Sequence, residues 1–329
     1  MGAKLALEVR QVSKTYRERG KPGVKAVDSI SFGVGQNEVV GLLGPNGAGK
    51  TTIIKCILGL MRPDSGEILV FGEDVEAHYP RILQKMSAVL EGSRNLYWRL
   101  TVWENVRFFS GLSGISSREN QEYFRYLIRL FSLKDKQDVE VRKLSQGMKQ
   151  KTSVVCALAR RTPLIFLDEP TLGLDVETSL ELRHVLRQLA QEEQRTIVVS
   201  SHDMDVIQDI CQRVIILSSG QVIVNDKVSH LMQLFGTKAY RISLVGNLPR
   251  ELEETLTTHF SSLSVATNDI GVEIRINLSE PHEIYLLMDT LRDAGAIIDE
   301  ISHEDVDLEK VFLEVVRRER NGHATGYSL

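Results

Sequence analysis

Short runs of consecutive apolar residues, each followed by glycines, polar turns or a helix-like spacing, recur along the first two thirds of the chain. Such runs predict strands buried on both faces, in a mixed sheet flanked by helices. Val39–Leu43, Leu164–Leu167 and Thr196–Ser200 are the clearest. All three lead into residues able to do chemistry, where an open α/β sheet places its ligands, beyond the carboxyl ends of its strands. Between the first two, residues 92–161 read as mainly helical and form a candidate subdomain. The best helix there is predicted to begin near Ser116. Ser116 and Glu119 make a capping-box pattern, and Phe124, Leu127, Ile128 and Phe131 recur at three- and four-residue spacing, which predicts a core-facing stripe. Arg213–Leu217, the turn Ser218-Ser219-Gly220 and Gln221–Val224 predict a β-hairpin.

From about residue 240 the pattern changes. Strand (240–245), helix (249–260), strand (263–267), strand (271–277), helix (281–293) and strand (297–303) follow, with a closing helix over 307–317. This βαββαβ order fits a small ferredoxin-like sandwich. The expected organisation is a first domain over 1–235, an accessory α+β domain over 236–320 and a flexible tail over 321–329.

With 329 residues, 42% of them apolar, the chain can bury a sizeable core and is not expected to be disordered. Its formal net charge of −4 gives no footprint for a long polyanion, so no nucleic acid is expected as its main partner. The charge is unevenly spread: residues 221–329 hold 10 Lys or Arg against 18 Asp or Glu, and residues 1–220 hold 30 against 26. Phosphate chemistry therefore belongs to the first part. Cys56, Cys156 and Cys211 are odd in number and scattered, which predicts reduced thiols, no disulfide and no structural zinc. Met1 to Arg10 lacks the pattern of an export signal, and no stretch approaches the roughly 20 apolar residues that span a bilayer. A membrane role would need a partner.

Gly44-Pro45-Asn46-Gly47-Ala48-Gly49-Lys50-Thr51-Thr52 follows the first strand and opens a helical pattern, which matches G-x-x-x-x-G-K-[ST] in the required context. Glycines let the backbone fold into a nest of N–H groups facing phosphates, and the helix start adds partial positive charge. Lys50 can reach the β- and γ-oxygens of a nucleotide, and Thr51 is the expected Mg²⁺ ligand. The strand Leu164–Leu167 ends in Asp168 and Glu169. There Asp168 can hold Mg²⁺ through water, and Glu169 can polarise the attacking water, a division of labour that suits phosphoryl transfer.

Leu144-Ser145-Gln146-Gly147-Met148, with Ser145 23 residues before Asp168, resembles the LSGGQ signature of ABC ATPases, with Gln146 for Gly and Met148 for Gln. That variation is similar to the drug- and peptide-antibiotic-exporter ATPases, the daunorubicin and bacitracin types. The resemblance implies an α/β P-loop NTPase cassette with a mixed sheet core, an antiparallel β-subdomain and a helical subdomain. It also implies that ATP is the ligand, that a second protomer completes the site, and that an integral membrane permease is the partner at the cytoplasmic face of the membrane. Ser145, Gln146 and Gly147 would then contact the γ-phosphate of the other protomer's nucleotide. Leu172-Gly173-Leu174-Asp175 resembles the D-loop, which brings Asp175 to the nucleotide. His202 matches the switch histidine, and Tyr16 resembles the aromatic that stacks on adenine.

One position departs from the family. The lid loop, which normally carries a glutamine, here offers Glu91 within Val89-Leu90-Glu91-Gly92-Ser93, as a candidate contact to nucleotide and Mg²⁺. Two like charges about 4 Å apart repel by about 4 kcal/mol at an effective dielectric near 20, so Glu91 beside the paired acids is costly without a cation. Just beyond, Leu96-Tyr97-Trp98-Arg99-Leu100 and Trp103 gather both tryptophans of the chain, a candidate groove for the permease.

Overall fold

The run Val39–Leu43 is buried at all five positions, as are Leu164–Asp168 and Thr196–Ser200, because each lies inside one sheet covered on both faces. The computed structural model describes residues 4–17, 20, 22–92, 95–235, 238–246, 250–260, 263–267, 271–278, 283–304, 308, 312 and 313. The chain divides into two compact units, Met1–Val228 and Ser229–Ala324. In the first, β1 (Leu5–Tyr16), β2 (Val24–Gly35) and β3 (Val39–Leu43) lead into α1 (Lys50–Ile57). Next come β4 (Ser65–Val70), β5 (Glu73–Asp74), the short α2 (Tyr79–Ile82) and β6 (Met86–Val89). A helical block carries α3 (Val102–Leu112), α4 (Gln121–Leu130) and α5 (Gln146–Ala159). The chain then returns to the sheet with β7 (Leu164–Asp168), α6 (Val176–Glu193), β8 (Thr196–Ser200), α7 (Met204–Ile210), β9 (Arg213–Ser218) and β10 (Gln221–Lys227).

Two sheets frame this unit. One is antiparallel, in the order β2-β1-β4-β5; the other is six-stranded, in the order β10-β9-β3-β8-β7-β6, parallel except at the β10 edge. Helix α1 joins the core shared by both, with Ile53, Ile54 and Ile57 packed among Leu7, Val9 and Val27 of the first and Leu42, Phe166 and Val198 of the second. Because β6, β7, β8 and β3 run parallel, their carboxyl ends lie along one edge of the sheet.

The helical block corrects one expectation. Helix α4 begins after Asn120 rather than near Ser116: the main-chain and side-chain amides of Asn120 both donate to the Ser116 carbonyl, at 3.2 and 2.9 Å, in one turn that precedes the helix. The capping box of the block is instead at Thr101 and Glu104, whose side chains bond each other's main-chain N–H at the start of α3. Phe124, Leu127, Ile128 and Phe131 are buried, as their spacing requires. The Tyr123 hydroxyl bonds both Glu193 carboxylate oxygens at 3.0 Å and accepts from Arg195 at 2.7 Å, and Arg195 also reaches the carbonyl of Leu158 at 3.0 Å. This network ties α4 and α5 to the residue that enters β8.

Helix α8 (Val228–Phe235) begins at the last residue of the first unit and leads into the second, which carries β11 (Lys238–Val245), α9 (Arg250–His259), β12 (Leu263–Thr267), β13 (Gly271–Leu278), α10 (Glu283–Asp293) and β14 (Ile297–Glu304). The sheet is antiparallel throughout, in the order β12-β13-β11-β14, and one face packs Ile242, Leu244, Ile274 and Ile276 against Leu252, Leu256, Leu287 and Leu291 of the two helices. Apart from Leu308, Phe312 and Leu313, the closing segment expected over 307–317 lies outside the described residues, as does the tail over 321–329.

Candidate nucleotide site

The loop after β3 is built by its glycines. Gly44, Gly47 and Gly49 have φ of +152°, +81° and +102°. A Cβ on Gly49 would stand 2.3 Å from the Ala26 carbonyl oxygen, and one on Gly44 would stand 2.4 Å from that of Leu217. Only glycine satisfies both the left-handed backbone and the close approach. The loop is braced from the β9–β10 turn, where Gly220 N–H donates to the Ala48 carbonyl at 3.2 Å. Ala48 N–H in turn donates to Pro45 at 3.1 Å within the loop, which also carries Asn46. Helix α1 begins at Lys50 with no side-chain cap and no acid in its first turn, so its first N–H groups and its dipole favour an anion.

Lys50 is buried and folded back, its Nζ donating to the Gly44 carbonyl at 2.6 Å and to that of Pro45 at 3.3 Å. Burial pulls its ammonium below the ordinary lysine range, while the negative charges of Glu169, Asp168 and Glu91 act in the opposite sense. Those three carboxylates share one electrostatic field with the loop. Thr51 and Thr52 follow on α1, and Thr52 Oγ1 lies 3.3 Å from the Tyr16 hydroxyl. Tyr16 is therefore held at the end of β1, beside the phosphate loop, with its side chain partly open to solvent.

At the neighbouring strand ends, Asp168 is buried and its Oδ1 accepts from the Ser200 hydroxyl, whereas Oδ2 is buried with no hydrogen-bond partner. Glu169 sits at φ +51°, a region non-glycine residues rarely occupy. Its N–H donates to the Ser200 carbonyl at 2.9 Å, and its Oε2 lies 2.8 Å from Nδ1 of His202. Since a carboxylate only accepts, Nδ1 carries the proton, and Nε2 of a neutral ring is left as an acceptor. The Glu169 side chain is 11% exposed and that of His202 59% exposed, so the pair spans from the buried sheet edge to the surface. Glu91 follows β6 at the same sheet edge and is exposed. Asn95 steadies this turn by donating from Nδ2 to the carbonyls of Leu90 at 2.7 Å and Gly92 at 3.1 Å.

The donors fit a divalent magnesium ion. Asp168 Oδ2 is a buried oxygen in need of a positive partner, and the Thr51 hydroxyl at the start of α1 would offer a second hard oxygen. Among the described residues no group of three or more His, Cys, Asp or Glu side chains could hold a metal. The buried Asp168 oxygen and the Thr51 hydroxyl would suit Mg²⁺, which keeps waters and binds through one or two protein oxygens plus substrate phosphates.

The remaining predicted residues belong to other elements. Ser145 caps α5, its hydroxyl accepting from the Met148 N–H at 3.3 Å, and Gln146 opens the helix; both are exposed. Asp175 caps α6, its carboxylate accepting from the Thr178 N–H and hydroxyl at 2.9 Å each, and these bonds hold its pKa below the ordinary aspartate value. The two helix starts adjoin, since a Cβ on Gly147 would be 3.0 Å from Thr178 Cγ2. Of the aromatics, Trp103 packs edge-on to Phe124 and is part of the helical block. Tyr97 and Trp98 are 52% and 48% exposed; Tyr97 meets Phe108 edge-on at 4.6 Å, and the Lys149 ammonium stands 5.5 Å from the Trp98 ring. Sequence reasoning missed Ser200, whose link to both acids depends on which residue of β7 it faces.

A phosphate loop, an apolar strand ending in paired acids and a histidine just past the end of the next strand define a nucleotide-hydrolysing P-loop cassette. Residues 27–172 match the ABC transporter family. The chain is 36% identical to the ABC transporter ATP-binding protein NatA of Bacillus subtilis over 67% of this chain and 89% of that protein. It is 31% identical to the Nod factor export ATP-binding protein I of Rhizobium etli, over 95% of this chain and 94% of that one. Other relatives are named methionine import ATP-binding proteins. A solved dimeric structure of the ATP-binding cassette MJ0796, bound to ADP and Pi, superposes with a TM-score of 0.62 at 26% identity, over 68% of this chain and 98% of that one. The chain belongs to the ATP-binding proteins of ABC transporters, and it is an ATPase. Among the described residues no helix is long and apolar enough to cross a membrane.

Proposed function

We propose that this chain hydrolyses MgATP at the cytoplasmic face of a membrane and drives export through a separate integral membrane permease. The observation that carries this reading is the split of the site. Lys50, Asp168, Glu169 and His202 stand together at the sheet edge, whereas the exposed, serine-capped start of α5 packs beside α6. A second copy, turned head to tail, supplies that helix start to the γ-phosphate of the first, so that Ser145, Gln146 and Gly147 of one chain, with Asp175 nearby, close the other chain's site. The dimeric form of the MJ0796 relative supports this arrangement.

Bound through Thr51 and Asp168, Mg²⁺ would supply charge neutralisation for the phosphates. The chain's own residues do the rest. The loop N–H groups and Lys50 hold the β- and γ-phosphates, Tyr16 lies against the base, Glu169 accepts a proton from the attacking water, and His202 orients Glu169 and senses the γ-phosphate. Glu91 faces the same charges from the lid loop. Tyr97, Trp98 and Phe108 form the surface on which the permease docks, close in sequence to that loop.

Export rather than import is favoured by Gln146 and Met148 in the signature and by the Nod factor export relative that spans nearly the whole chain. The accessory domain over 236–320 contributes dimer contacts or regulation, which a chain ended at residue 235 would lose. The test is affinity purification of the tagged chain from detergent-solubilised membranes. The expected companion is one integral membrane protein, with ATPase activity retained in the complex. Recovery of RNA or ribosomes without a membrane protein would contradict the reading, and ATP-dependent uptake into cells expressing the pair would reverse its direction.

A further inference from the structure

Ser200 closes β8 and faces Asp168, the last residue of β7, in parallel register. It is fully buried. Its hydroxyl donates to Asp168 Oδ1 and lies 3.3 Å from the Glu169 nitrogen, while its carbonyl accepts from the same N–H at 2.9 Å. One residue thus touches both acids of the site. We infer that Ser200 is a positioning residue for phosphoryl transfer: its hydroxyl fixes the Asp168 carboxylate so that Oδ2 is presented to the divalent cation, and its main chain holds Glu169 in its left-handed turn.

The inference deepens the reading of Asp168 as a cation ligand, on which it rests. The last torsion of an aspartate is broad and two-fold, so a carboxylate held at neither oxygen can turn. Here Oδ1 is occupied by the Ser200 hydroxyl, and Oδ2 is left buried and unpaired. A buried carboxylate oxygen without a partner is unfavourable unless positive charge meets it, and Lys50 directs its ammonium to the loop carbonyls of Gly44 and Pro45. The hydroxyl therefore decides which oxygen faces the cation and at what angle. At Glu169, φ of +51° is a conformation the surroundings must impose, and the bond to the Ser200 carbonyl contributes to imposing it. Since the chain leaves β8 at Ser200 and reaches His202 two residues later, the strand that orients the metal ligand also leads directly to the histidine bonded to Glu169.

Outer-sphere partners of metal ligands change metal affinity by about 10–100-fold when removed. The experiment compares full-length Ser200→Ala with the parent chain by calorimetric titration of a non-hydrolysable ATP analogue, once with Mg²⁺ and once with EDTA. The ratio of the two affinities is the metal's contribution to nucleotide binding, and it is read without turnover. The expected result is a fall of about tenfold in that ratio, with the affinity in EDTA close to parental and the thermal transition retained. Ser200→Cys, close in size but a weak donor, reads the same quantity if Ser200→Ala does not fold. A parental ratio in a folded variant overturns the inference, as does an equal loss with and without metal, which a merely structural serine would give. If the parent chain itself binds the analogue no better with Mg²⁺ than with EDTA, the assignment of Asp168 fails first and the role of Ser200 falls with it.

Discussion

Glu169→Gln is expected to lower ATP turnover by about 10²–10⁴-fold, the usual contribution of a positioned general base. ATP binding should survive. The amide keeps the shape of the carboxylate, and the main-chain bonds from residue 169 to Ser200 do not involve the side chain. What is lost is the oxygen that accepts a proton, together with the charge that faces His202 Nδ1 at 2.8 Å. Phosphate release at saturating MgATP, set beside calorimetric binding, separates the two effects. Turnover close to parental would remove Glu169 from the chemistry and leave it as the end of a strand.

The second large effect is expected at Lys50, and it differs in kind. Lys50→Ala should weaken ATP binding by about 10–100-fold, as expected for loss of a hydrogen bond from a charged group worth about 1.5–3 kcal/mol, and should reduce turnover with it. Lys50 already has carbonyl partners at Gly44 and Pro45, so the fold keeps the ammonium at the mouth of the loop before any phosphate arrives. Its removal also leaves Asp168, Glu169 and Glu91 with less opposing charge, which disfavours a triphosphate further. Binding measured with and without Mg²⁺ checks this; unchanged affinity in both conditions would mean that the loop does not hold phosphate. Read together, the two variants separate holding a nucleotide from hydrolysing it.

Much of this was legible in the chain because the chemistry sits where unbroken apolar runs stop. Val39–Leu43, Leu164–Leu167 and Thr196–Ser200 show no alternation, since each is covered on both faces, and each hands over at once to loop, acids or histidine. The six-element order of the second unit was readable for a similar reason: each strand and helix carries its own period, and turns separate them. What spacing along the chain does not carry is contact across strands. Ser200 looks like one more small polar residue at a strand end until β7 and β8 are placed in register. Ser116 and Glu119 have the residue types of a cap, yet only the single turn closed on the Ser116 carbonyl by Asn120 forms there, and α4 starts after it. Trp103 shows the same limit, since the sequence groups it with Tyr97 and Trp98 while packing places it against Phe124.

Ser145 poses the central question, because its hydroxyl already caps α5 and its helix start packs against Thr178 of α6. A cap that also grips phosphate requires another molecule to bring the nucleotide. The most direct measurement is the molar mass of full-length Glu169→Gln by light scattering, with and without saturating MgATP and in the presence of the permease when that is identified. A mass that doubles for this subunit only when MgATP is present is the predicted result. A subunit that stays single under the same conditions, with nucleotide shown to be bound, would contradict a site shared between two chains.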